Sequence, residues 1–75
     1  MRYFRAEITY EIISTGNVAE QFSEILYCSS PDGFPKNEEL RDLFDSLYGE
    51  EKKFLSAIWI QVRDEEIPTN EIHLL

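Results

Sequence analysis

Between residues 3 and 13 the chain alternates apolar and polar side chains without a break. Phe4, Ala6, Ile8, Tyr10 and Ile12 share one side, and Arg5, Glu7, Thr9 and Glu11 the other. A period of two over this length specifies an extended strand, with one face on a core and the other in water. Ser14-Thr15-Gly16-Asn17 then reads as a turn, because Gly and Asn tolerate the positive φ of tight hairpins.

Residues 18–29 admit two readings. Val18, Phe22, Ile25 and Leu26 have the spacing of an amphipathic helix, and Asn17 with Glu20 has the form of a capping box. The run from Ile25 to Cys28, arriving after a hairpin-type turn, reads as a second strand, which is the preferred assignment. Ser30-Pro31-Asp32-Gly33 is another turn.

The helix is plainer. Asn37 is a candidate N-cap, and Glu38 and Glu39 fall in the first turn, where carboxylates complement the helix dipole. Leu40, Leu43, Phe44, Leu47 and Tyr48 recur on one face, and Gly49 marks the stop. A third strand covers 54–62. Alternation from its first residue puts Phe54, Ser56, Ile58, Ile60 and Val62 toward the helix, and Leu55, Ala57, Trp59 and Gln61 away from it.

The expected fold is α+β: one domain over 1–75, built as β-β-α-β. Its three-stranded, mostly antiparallel sheet runs in the order 2-1-3, with one helix packed on one face. A right-handed crossover from strand two to strand three makes those two parallel and leaves the first strand between them. The tail, 64–75, is broken at Pro68, and Ile72-His73-Leu74-Leu75 is compatible with a short strand, a helical turn or fraying. Such folds host unrelated functions, so fold alone assigns none.

Composition narrows the classes. A 43% apolar share rejects disorder despite a net charge of −8. No run reaches the ~18 apolar residues of a membrane span. Fifteen acidic residues against seven basic ones disfavour a nucleic-acid partner and favour a basic protein. A single cysteine, Cys28, rules out an internal disulfide framework, and a soluble protein in a reducing, cytoplasmic setting is the expectation. A domain of this size has little interior for a pocket, so a site belongs on a surface, in a groove or at a dimer seam.

Trp59 is the leading candidate for a contact residue. With strand three in the phase above, it lies on the open face with Leu55, Ala57 and Ile13, as a patch for a partner or a second copy. Two blander readings compete: the tail folds over it, or the strand's phase is shifted by one residue. The same strand poses a second problem. Residues 54–62 contain no charge and no proline, and in the order 2-1-3 they form a sheet edge, which is a template for pairing. Lys52-Lys53 and Arg63-Asp64 flank it like gatekeepers. A tail, a foreign strand or a second copy could cover that edge, and a symmetric dimer is the simplest solution.

Other constellations have ordinary explanations. Glu38, Glu39, Asp42, Asp45 and Glu50 make an acidic helix surface that suits a basic partner or simply solubility. Asp64, Glu65, Glu66 and Glu71 lack the spacing of a calcium loop and read as a solvated run, so no metal is expected. Cys28 has acidic rather than basic neighbours in sequence and reads as a core or rim residue. His73 sits near the end of the tail, which disfavours catalysis. No phosphate loop, nucleophile elbow or dinucleotide fingerprint is present, so no cofactor is expected. The functional expectation is a non-catalytic interaction or regulatory module, self-associating through 54–62. The alternative is a small enzyme or ligand-binding protein at a dimer seam, using Glu7 or Glu11 with Tyr10 or His73. Glu7 and Glu11 themselves lie about 13 Å apart by strand rise, too far to act as a carboxylate pair.

Overall fold

The computed structural model describes residues 1–12 and 20–75. Its elements are β1 (Arg2–Ile12), β2 (Gln21–Ser30), α1 (Asn37–Tyr48), β3 (Lys52–Val62), a 3-10 turn (Asp64–Glu66) and β4 (Ile72–Leu74). They form an α+β fold with one helix against a four-stranded sheet of order β3-β1-β2-β4. The expected order 2-1-3 survives inside it, and a fourth strand extends it. The expected turn at 14–17 and the contact residue Ile13 lie outside the described residues.

β1 is central and pairs antiparallel with both β2 and β3. Its alternation is met over most of its length: Phe4, Ala6 and Ile8 are fully buried and Tyr10 packs at the core margin, whereas Ile12, at the end of the strand, is exposed. On β2 the strand reading holds, and Leu26 and Cys28 join the same core. From α1, Leu40 and Phe44 complete it, with Leu43 and Tyr48 half-buried at its margin and Leu47 41% exposed. Each such large apolar side chain, once buried, contributes roughly 1.5–3 kcal/mol.

The helix boundaries differ from expectation in two details. Lys36, not Asn37, occupies the N-cap, and its backbone N–H donates to Glu39 Oε1 at 3.0 Å. Glu39 therefore satisfies a backbone donor as well as the helix dipole. Gly49 stays right-handed, with φ −57° and its N–H bonded to the Asp45 carbonyl at 2.8 Å. The glycine is needed there for space, since a Cβ would come within 2.5 Å of that carbonyl oxygen.

The tail closes one side of the sheet. β4 runs parallel to β2, pairing Tyr27 with Ile72, Cys28 with His73 and Ser29 with Leu74. Beyond it, the Leu75 N–H donates to the Ser29 carbonyl at 2.8 Å, and the Leu75 side chain packs on the core. The tail thus covers the β2 edge at Tyr27–Ser29, and no strand among the described residues pairs with the outer edge of β3. No helix among the described residues is long and apolar enough to cross a membrane.

Candidate functional site

The outer edge of β3 and the sheet surface beside it are where the sequence placed an interaction, and the structure alters which side chains lie there. Phe54 must face the helix, where it meets Phe44 at 6.1 Å between ring centroids. Trp59 also has a place on that side, edge-on to Phe4 at 5.3 Å and opposite the small Ala6 on β1. The two are an odd number of residues apart, so strict alternation cannot bury both. A β-bulge resolves the conflict: Tyr10 pairs with Phe54 and Thr9 with Ser56, leaving Leu55 as the extra residue.

Downstream of Leu55 the phase is inverted relative to the sequence expectation. Ala57 and Trp59 pack against the core, and Ile58 and Ile60 point outward, 69% and 57% exposed. Trp59 and Ala57 are therefore not outward-facing contact residues, and Leu55 sits half-buried at the bulge. Intramolecular cover for Trp59 comes from the β2–α1 connection, not from the tail. Gly33 turns the chain with φ +77°, and Phe34 stacks on the indole at 5.5 Å and 16°. The Arg2 guanidinium lies 4.8 Å from the centre of the Phe34 ring.

Around Ile58 and Ile60, a shallow depression of about 60 Å³ is lined by these two residues with Arg5, Glu7 and Trp59. That is well below the ~300 Å³ of a small-molecule pocket. Two broader hollows, about 380 and 400 Å³, lie along the α1–β3 connection and between the start of β1 and the end of β3. On the free side of β3, no backbone group among the described residues makes a hydrogen bond, because its only strand neighbour is β1.

A second constellation, absent from the sequence expectation, lies under the other end of the sheet. Glu24 occupies the core-side row of β2 between Phe22 and Leu26, opposite Ile8. Its Oε2 is buried without a hydrogen-bond donor, and Lys52 Nζ approaches to 3.6 Å. The Tyr48 hydroxyl donates to Glu24 Oε1 at 3.4 Å. The Lys52 ammonium also lies 4.1 Å from the Tyr48 ring centre and 4.8 Å from that of Tyr10. Burial pushes the Tyr48 hydroxyl above its ordinary pKa, and the Glu24 carboxylate adds to the rise. For Lys52, burial acts downward, but Glu24, assisted by Tyr10 and Tyr48, outweighs it and raises the ammonium's pKa. The signal was present in the sequence: once 21–30 is a strand, Glu24 falls in an inward position and calls for a cation.

The carboxylates weighed for catalysis do not converge. Glu7 and Glu11 share the outer sheet surface, whereas Tyr10 packs on the opposite side against Phe44, 5.5 Å away. His73 is on β4, beyond β2. Among the described residues, no group of three or more His, Cys, Asp or Glu side chains is arranged to hold a metal ion. The 64–66 run is organised by Arg63 instead, whose guanidinium reaches Glu65 at 3.2 Å and Glu66 at 3.5 Å. Cys28 is fully buried, and burial pushes its thiol up to about 11. Compared with protein-family models, curated proteins and solved structures, the chain finds no match.

Proposed function

We propose that this chain is a non-catalytic interaction module that self-associates through β3. The observation that carries the reading is the unpaired edge of β3 together with the outward pair Ile58 and Ile60. An edge strand that is apolar and uncharged between its flanking residues is a site for strand addition, and large exposed aliphatic side chains beside it supply contact area. The net charge of −8, with Glu38, Asp42 and Asp45 exposed on α1, repels polyanions and makes encounter with a basic protein faster at low salt. A reducing, cytoplasmic setting suits the buried thiol of Cys28.

Light scattering coupled to size-exclusion chromatography tests the reading. The wild type is expected to run as a dimer. Ile58→Lys and Ile60→Lys are expected to run as monomers with unchanged circular dichroism, since both side chains point away from the core. A wild type that stays monomeric at every concentration would overturn the proposal.

A further inference from the structure

We infer that Tyr10, Tyr48 and Glu24 form a recognition cage for a methylated ammonium group, which the chain's own Lys52 fills when no such ligand is bound. The inference is independent of the β3 edge and goes beyond self-association. Aromatic ring faces attract a cation through their quadrupoles, and cages of such rings recognise quaternary ammonium groups. Here the Lys52 Nζ lies 4.1 Å from the Tyr48 ring centre, 4.8 Å from that of Tyr10 and 3.6 Å from Glu24 Oε2.

The cage does not take its shape from Lys52. Phe44, fully buried, stands against both rings, 5.5 Å from Tyr10 and 5.1 Å from Tyr48, and Phe22 stacks on Tyr10 at 5.9 Å. The Tyr48 hydroxyl holds Glu24 Oε1 at 3.4 Å. Lys52, by contrast, is the first residue of β3, and its side chain and that of Glu24 are partly exposed. The ammonium can therefore swing into water on its own flexible stem. The site also suits a primary ammonium poorly, because that group carries three N–H donors. At 3.6 Å, Glu24 Oε2 is beyond hydrogen-bond range, and it has no other donor. The cage supplies charge and ring faces without a hydrogen bond at this oxygen. A trimethylated ammonium has no N–H to leave unpaired there.

Charge beside the cage selects the source of the ligand. Tyr48 also borders the hollow of about 380 Å³ whose lining includes Asp45, Glu50 and Glu51. None of these three carboxylates is in an ion pair among the described residues. Basic residues flanking a caged ammonium would meet complementary charge there. A trimethylated lysine within a basic protein segment matches both the cage and the hollow, whereas choline matches the cage alone.

NMR titration with tetramethylammonium chloride, read at Tyr10, Glu24 and Tyr48, tests the cage, with sodium chloride at equal ionic strength as the reference. Saturable shifts are expected in the wild type. Binding should tighten about tenfold in Lys52→Ala, where the tethered ammonium no longer competes. Glu24→Gln keeps the shape, drops the charge and should weaken binding about tenfold. Should Lys52→Ala fold too poorly to measure, the wild type and Glu24→Gln decide alone. Shifts no different from those in sodium chloride would overturn the cage, as would equal binding by the wild type and Glu24→Gln. Saturable binding by Lys52→Ala but none by the wild type would make Lys52 a permanent plug and overturn the recognition role. A short peptide with N-trimethyl-lysine between arginines should bind about tenfold more tightly than choline chloride or its own unmethylated form. Choline binding as tightly as the peptide would overturn the protein-segment assignment and leave the cage standing. An unmethylated peptide that binds equally well would overturn the preference for methylation.

Discussion

Phe34 lies flat on Trp59, with ring centroids 5.5 Å apart and planes 16° from parallel. The stack closes over the end of the core at Phe4, which meets both rings edge-on. Phe34 is itself half-exposed, so its role is to shield the indole. Removing it as Phe34→Ala should cost about 1–2 kcal/mol, between an aromatic pair's contribution and a full core truncation. Urea denaturation followed by tryptophan fluorescence checks this, and the native emission should shift to the red. An unshifted spectrum with an unchanged midpoint would show that the loop does not protect Trp59.

The inverted phase of β3 predicts a sharp contrast between neighbouring positions. Trp59→Ala should lose about 2–4 kcal/mol, as a partly buried large aromatic in the core layer. Ile58→Thr and Ile60→Thr should each change monomer stability by less than about 0.5 kcal/mol, because both side chains face water and threonine keeps the β-branch. Chemical denaturation at a concentration that suppresses any dimer measures all three. Comparable losses at 58 and 59 would contradict the bulge.

The Glu24–Lys52–Tyr48 cluster makes stability fall on the alkaline side. Lys52 and Tyr48 both hold their protons more firmly in the folded chain than when unfolded. Their contribution is therefore complete below their ordinary pKa values, ~10–10.4, and is lost as the pH rises through the folded values. Lys52→Met should cost about 1–2 kcal/mol at neutral pH, more than an exposed ion pair and less than a fully buried one, because it strands the carboxylate of Glu24. Thermal melts from pH 7 to 11 should show the variant losing less over the alkaline range than the wild type. Parallel curves would remove Lys52 from the explanation.

Cys28 should behave as an inert thiol. It is fully buried, and its pKa is pushed up to about 11, so the native chain offers almost no accessible thiolate at pH 8. Labelling by a thiol-specific reagent should proceed only as fast as the β2–β4 pairing or the whole domain opens. It should speed up in a chain shortened before Ile72. Rapid stoichiometric labelling of the intact native protein would mean that the β4 cover is not in place.

Much of this fold can be read locally. The alternation of Phe4, Ala6 and Ile8 and the stripe of Leu40 and Phe44 each bury the side chains they advertise, because nothing non-local competes with them. The strand at 21–30 was harder, since Phe22, Ile25 and Leu26 suit either period. β1 decides it by offering a complete antiparallel ladder from Arg2 to Glu11. The candidate contact surface was half legible. The bare edge of β3 follows from its composition and from the strand order, but its facing does not. Whether Trp59 turns in or out depends on Phe54 needing Phe44 and on Trp59 needing Phe4 and Phe34, three partners distant in sequence. A short strand at 72–74 depends likewise on β2 presenting a free parallel edge, which its own residues do not announce.

The extra residue at Leu55 acts as a phase adjuster between two halves of one ribbon. A chain lacking it would run from Phe54 to Ser56 in perfect alternation and still send Ala57 and Trp59 inward. Position 55 can therefore be gained or lost without exchanging the wet and dry sides of the sheet, whereas the same change inside Ser56–Val62 would put the two sides out of step.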